Sequence, residues 1–137
     1  MPMDRAKYPD NWEAISLQVR EEAGNRCEWC AVANGAVGAR SLNGIWYDFD
    51  DIECISDREI RLLFGCDYPR IIKIVLTVAH LDHDIQNGDR SNLAALCQRC
   101  HLNHDRPQHL ANAAATRARK RAEAIAAAGQ LTLIQEA

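Results

Sequence analysis

The 137-residue sequence has no run of apolar residues long enough to cross a bilayer, since a spanning helix needs about 20 of them. Its first ten residues, Met1 to Asp10, are polar and lack the apolar stretch of a secretory signal. These two absences predict a soluble, cytoplasmic chain with no membrane partner. There is no internal repeat, so a repeat architecture is excluded, and no low-complexity segment beyond the alanine-rich C-terminal third. A large excess of one charge is also missing. The net charge of −3 gives no general support to nucleic-acid binding, and no base-reading motif is recognisable.

What is present suits one globular domain with a modest core: 47% hydrophobic and 26% charged residues. The charges are unevenly placed. Residues 48–67 carry seven acids (Asp48, Asp50, Asp51, Glu53, Asp57, Glu59, Asp67) against Arg58 and Arg61. From His101 onward, Arg106, Arg117, Arg119, Lys120 and Arg121 face Asp105, Glu123 and Glu136. A small average can therefore hide a basic face, although Arg117 to Arg121 also suits a solvated helix surface.

Trp12, Ile15 and Val19 recur at spacings of three and four, which predicts a core-facing helix over 11–23. Asp10 or Asn11 caps it and Gly24 ends it. Residues 31–44 hold Asn34-Gly35, Gly38 and Asn43-Gly44 and read as a turn-rich loop. Ser56-Asp57-Arg58-Glu59 has the spacing of a capping box, predicting a short helix through Phe64 that stops at Gly65. Ile71 to Ala79, rich in Ile, Val and Thr, is the best strand, and Leu93 to Leu96 reads as a return strand. Gln98 to Asp105 opens a helix. Pro107 then occupies the first turn of a longer one running to about Ala128, with Gly129 after it. The last apolar residues, Leu131, Leu133 and Ile134, either pack on the core or fray.

In a reducing compartment, six cysteines argue for metal binding before disulfides. Cys27/Cys30 and Cys97/Cys100 form two Cys-x-x-Cys pairs. Each pair grips an ion from one side, and four thiolates make the closed tetrahedral shell of a structural Zn²⁺. A closed shell leaves no position for a reacting water, so this zinc is expected to staple the fold across 66 intervening residues. A redox Cys-x-x-Cys or buried free thiols are the alternatives. Cys54 and Cys66 belong to no such pair and read as half-buried thiols.

All five histidines lie between residues 80 and 109. The relevant residues are Val78-Ala79-His80-Leu81-Asp82-His83-Asp84, Asn87, Asn92-Leu93, and Cys97-Gln98-Arg99-Cys100-His101-Leu102-Asn103-His104-Asp105. This ordered set, with Cys27 to Cys30 before it, resembles the HNH endonuclease (His-Me finger) family. Its zinc-stapled members pair an early Cys-x-x-Cys with a histidine-ended strand, an Asn-Leu, then Cys-x-x-Cys-His. The resemblance implies an α+β fold with a ββα-metal core, a Cys₄ zinc site, an N-terminal helix and a long C-terminal helix. It implies one domain over 1–137, with a core of about 24–110, an insertion of about 31–70 and a basic helical tail of about 107–128.

Carried over residue by residue, His80 matches the general base that deprotonates the attacking water. Asn92 matches the asparagine that orients the loop carrying that histidine. His101 matches the ligand of a catalytic divalent ion, Mg²⁺ or another, and His104 or Asp105 completes its shell from one helical turn on. His83 is the rival base. His80 is favoured because it stands twelve residues before Asn92 and His83 only nine, and the loop needs room to close. Ala79 departs from the family, which usually places a metal-binding Asp or His there. Asp82 or Asp84 is the available substitute, although in a regular strand Asp82 shares a face with His80.

Three functions follow from these residues. The first is a metal-dependent endonuclease or nickase on double-stranded DNA, with Arg117, Arg119, Lys120 and Arg121 neutralising phosphates. The second is a DNA-binding module that kept the zinc-stapled scaffold and lost the catalytic ion through Ala79. The third is a zinc-stabilised interaction domain whose acidic residues 48–67 meet a protein partner.

Overall fold

The computed structural model describes residues 4–136, with side chains as far as Gln130. The side chains of Leu131, Leu133 and Ile134 thus lie outside the described residues. Contacts divide the chain into two compact units, Met1–His101 and Leu102–Ala137. The architecture is mixed α and β. Among the described residues no helix is long and apolar enough to cross a membrane.

In the first unit, a short 3-10 turn (Arg5–Lys7) precedes helix α1 (Trp12–Glu22). Asn11 stands at its N-cap, but its side chain makes no capping bond. Val19 is buried, and Trp12 and Ile15 pack beside it on the same core, as their spacing predicts. Gly24 follows with φ of 69° and Asn25 with 56°. This left-handed pair turns the chain into the first cysteine knuckle.

The stretch 71–79 does not form one strand. It is divided into β3 (Ile72–Lys73) and β4 (Thr77–His80). Ile74 and Leu76, both buried, lie between them. Their backbone groups bond to the 34–36 loop: Ile74 N–H to Ala36 O at 2.8 Å, Gly35 N–H to Ile74 O at 2.8 Å, and Leu76 N–H to Asn34 Oδ1 at 3.0 Å. The chain therefore leaves one sheet and enters another while both apolar side chains stay in the core.

The segment 31–44 is not loop throughout, since it contains strand β1 (Val37–Arg40). β1 is the centre of a three-stranded antiparallel sheet, between β2 (Trp46–Asp48) and β3. Gly38 is required here. A Cβ on it would lie 2.0 Å from the Tyr47 carbonyl oxygen, so only glycine lets the two strands approach. Helices α2 (Phe49–Cys54) and α3 (Asp57–Phe64) complete this region. Ala39, Ile52 and Phe64 form its own small core, with Tyr47, Ile55, Ile60 and Leu63 against them. The capping box is fully formed: Glu59 N–H donates to Ser56 Oγ, and Ser56 N–H donates to the Glu59 carboxylate at 2.9 Å. Gly65, with φ of 71°, ends α3.

The other sheet is the hairpin of β4 and β5 (Leu93–Leu96), antiparallel with Thr77 opposite Leu96 and His80 opposite Leu93. All four residues of β5 are buried, and α1 packs on both strands. Helix α4 (Gln98–Glu136) is a single element. Pro107 lies inside it instead of opening a second helix. Its missing N–H removes one intrahelical bond, and the turns on either side carry the helix through. The helix also continues past Gly129, where a Cβ would meet nothing within 4 Å. In the second unit its side chains are mostly exposed, including Leu110 and Ile125.

Candidate metal centre and histidine site

The first cysteine pair is shaped by a tight knuckle. Cys27 N–H donates to Val32 O at 2.9 Å, Ala31 N–H donates to Cys27 O at 2.8 Å, and Ala31 takes φ of 63°. The second pair sits where β5 passes into α4, with His101 N–H closing the first helical turn on Cys97 O. Glu28 joins the two. Its N–H donates to Ala95 O at 2.9 Å, and its carboxylate accepts from Ala95 N–H at 2.5 Å. The knuckle thereby covers the free edge of β5 and holds the pairs in register.

All four cysteine sulfurs lie within 4.8 Å of one another, and Cys30 Sγ is 3.6 Å from Cys97 Sγ. The edge of a tetrahedron with Zn–S bonds of about 2.3 Å is about 3.8 Å, so the cluster has the size of a four-sulfur metal site. Cys27 and Cys97 are buried and Cys30 is exposed. Burial raises the Cys30 thiol, but hydrogen bonds from the Val32 backbone, Arg40 and the neighbouring cysteines outweigh it and bring the group down to about 7. Burial pushes Cys97 and Cys100 up, and the adjacent sulfurs add to this at Cys100. Without a cation, Cys30 ionises more readily than Cys97 and Cys100, because crowded anions oppose one another. A bound divalent ion such as zinc reverses that balance and lets all four ionise. Cys54 and Cys66 are exposed rather than half-buried, and neither joins the cluster.

His80 ends β4 and is 9% exposed. Trp12 stacks on its ring at 5.1 Å with 18° between planes, and Tyr8 lies 6.0 Å away. Burial holds the His80 imidazole below its ordinary pKa. The nearby His101 acts in the same direction, against Asp82 and Asp84. His101 Nδ1 is 2.7 Å from Thr77 Oγ1. A cavity of about 910 Å³ opens here, lined by Tyr8, Trp12, Arg20, Thr77, Val78 and His101 among others.

Asn92 is buried and fixes the loop after His80. Its Nδ2 donates to Asp82 Oδ1 at 2.9 Å and to Asn87 O at 3.0 Å, while its Oδ1 accepts from Asp82 N–H at 3.0 Å. The Asp82 carboxylate also accepts from Asn87 Nδ2 at 2.7 Å and Asp84 N–H at 2.8 Å. These bonds, the Asn87 one foremost, hold Asp82 below the usual carboxylate range. Asp82 therefore braces the loop with both oxygens. Asp84 accepts from Gln86 N–H at 2.9 Å. His83 sits in the turn beyond the strand, with φ of 61°.

Ala79 is 1% exposed, opposite Ala94, and brings only a methyl group to the core. Among the described residues of the first unit, the four cysteines are the one group of three or more ligating side chains gathered together. His104, Asp105, Arg117, Arg119, Lys120 and Arg121 all lie in the second unit, on α4.

Two residues that contact the four-cysteine cluster have no sequence signature. Glu28 sits between the first two cysteines, but its bond to Ala95 spans 67 positions. Arg40 Nη2 lies 3.5 Å from Cys30 Sγ and 3.4 Å from Cys97 Sγ, from within a segment that reads as a loop. Comparisons of the chain with protein-family models, with curated protein sequences and with solved structures gave no match.

Proposed function

We propose that the chain is an HNH-type, metal-dependent endonuclease or nickase that hydrolyses DNA phosphodiester bonds, on a ββα-metal core stapled by structural zinc. The observation that carries the reading is the Asn92 lock. This buried amide binds both ends of the loop that follows His80, while His101 approaches His80 from the start of α4. A histidine at a strand end, an asparagine bracing its loop and a histidine on the next helix are the parts such a site needs.

In this reading His80 is the general base. Its lowered pKa keeps the imidazole neutral near pH 7, the form that accepts a proton from water. Asn92 and Asp82 keep the loop from drifting, so the base stays aimed. His101, with Nδ1 fixed on Thr77 Oγ1, would hold a divalent ion, whose chemistry when bound is to polarise the scissile phosphate and stabilise the leaving oxygen. Ala79 supplies no ligand and Asp82 is engaged in the loop, so ion binding here is expected to be weak.

Ala79 also favours a second reading, a DNA-binding module without cleavage. Both readings place Arg117, Arg119, Lys120 and Arg121 on phosphates. All four are exposed, and Arg119 pairs with Glu123 at 3.6 Å. The seven acids of residues 48–67 are exposed as well, as a solvated surface or a protein-binding one requires.

The test is nicking of supercoiled plasmid by the full chain with Mg²⁺, Mn²⁺, Ni²⁺ or EDTA, beside His80→Ala. Metal-dependent nicking that disappears in the variant supports the nuclease. Salt-sensitive DNA binding without nicking supports the module. Binding unchanged when the four basic residues become alanine removes them from the interface.

A further inference from the structure

We infer that Arg40 is an outer-sphere cation of the four-cysteine centre, strengthening its hold on the metal and shielding its sulfurs from electrophiles. The inference rests on the reading of that cluster as a zinc site.

Arg40 reaches the cluster from β1, in a region with its own small core. One nitrogen, Nη2, bridges a sulfur from each Cys-x-x-Cys pair: Cys30 at 3.5 Å and Cys97 at 3.4 Å. The guanidinium is not there by chance of a flexible chain. Nη1 donates to Gly44 O at 3.3 Å, and the group lies 5.6 Å from the Trp46 ring centroid. Arg99, between the second pair of cysteines, donates to the same Gly44 oxygen at 2.8 Å. Gly44 has φ of 80°, and a Cβ on it would lie 2.2 Å from the Arg99 guanidinium. The turn after β1 is thus clasped against the second knuckle, and the Arg40 side chain is aimed by that clasp.

The charges give this geometry a purpose. Four thiolates around a divalent ion carry a net charge of −2, which a half-buried site does not hold easily. Among the described residues Arg40 forms no salt bridge with a carboxylate, so the sulfurs are its anionic partners. A positive group at hydrogen-bond distance lowers the local charge and withdraws electron density from two of the four sulfurs. Cys30 is the exposed member, the sulfur that solvent and electrophiles reach, and Arg40 contacts it at 3.5 Å. The fork of the guanidinium lets it bind sulfur and carbonyl together, which an ammonium on a flexible stem does not reproduce.

The experiment uses the full chain with Zn²⁺ and Co²⁺ as probes. Wild-type protein is expected to bind one Co²⁺ with the intense near-ultraviolet sulfur-to-cobalt bands of a four-thiolate site. Absence of that spectrum would overturn the cluster reading itself, separately from the role of Arg40. Given the spectrum, zinc affinity is measured by chelator competition for wild type, Arg40→Met, Arg40→Gln and Arg40→Lys. Loss of an outer-sphere partner typically weakens a metal site by about 10- to 100-fold. That range is expected for Met, with Gln and Lys between it and wild type. The cobalt charge-transfer bands move to longer wavelength in Met, and Cys30 alkylates faster. A merely structural arginine would leave the bands in place. Circular dichroism establishes folding. If the Met variant fails to fold, Gln decides, since it removes the charge. Wild-type affinity and unshifted bands in a folded Met or Gln variant overturn the proposal.

Discussion

Chelation is the perturbation that bears most directly on the four-cysteine cluster. If the four cysteines hold a zinc ion, the ion cross-links the Cys27–Cys30 knuckle to the start of α4 and closes a loop of 66 residues between Cys30 and Cys97. An ion that binds the folded cluster and leaves on unfolding stabilises the fold by its binding free energy, worth about 4 kcal/mol when zinc is at about 1,000 times its Kd. Whole domains are stable by only about 5–15 kcal/mol, so this link is a large share of the total. The assay is urea unfolding followed by circular dichroism, with one equivalent of zinc or with EDTA. With a slope of about 1–3 kcal/mol per molar urea, the midpoint is expected to fall by about 1.3–4 M on chelation, and Cys100→Ser is expected to match the EDTA result. Equal midpoints with and without EDTA would refute the reasoning, because a folded-state cross-link cannot be removed without cost to the folded state.

Glu28→Ala deprives the buried Ala95 N–H of its acceptor, and thermal or urea unfolding is expected to show a loss of about 1–3 kcal/mol; Glu28→Gln, which keeps an acceptor oxygen, is expected to lose less. Gly38→Ala drives a Cβ into the Tyr47 carbonyl, so the β1–β2 pairing is expected to open and its amide hydrogens to exchange faster, while those of β4 and β5 stay protected. His80 contributes a pH dependence with a definite sign. Its folded pKa lies below the ordinary value of 6.5, so unfolding takes up a proton. The associated stability is complete above pH 6.5 and is lost as pH falls below it. Urea midpoints of wild type and His80→Phe across this range check it, and parallel curves would contradict burial as the cause.

Much of the local structure is legible in the residue pattern. The apolar spacing of Trp12, Ile15 and Val19 locates α1, and the Ser56–Glu59 box locates α3, because helix periodicity and capping are interactions between near neighbours. Leu93–Leu96 is recognisable as a strand for a similar reason: a short apolar run between Asn92 and the second cysteine pair has few other places to go. The division of 71–79 is not legible. Ile74 and Leu76 look like strand residues either way, and only the bonds from residues 34–36 decide where one sheet ends and the next begins. β1 is hidden by the glycines around it, since Gly38 signals a turn in sequence and a close strand contact in space. The continuity of α4 through Pro107 and Gly129 is equally hidden, because both residues ordinarily mark helix ends.

The sequence by itself determined the identity of the four metal-binding candidates, since two Cys-x-x-Cys pairs each carry their spacing locally, and it singled out His80, Asn92 and His101 as a group. Tertiary structure decided the rest. It gathered sulfurs 67 positions apart to 3.6 Å, tied both Asp82 carboxylate oxygens into the loop, buried the Ala79 methyl group in the core, and set Glu28 and Arg40 against the cluster. Each of those outcomes depends on which distant segment supplies the partner for a backbone or charged group, and that choice is made by packing the whole core rather than by any stretch of chain.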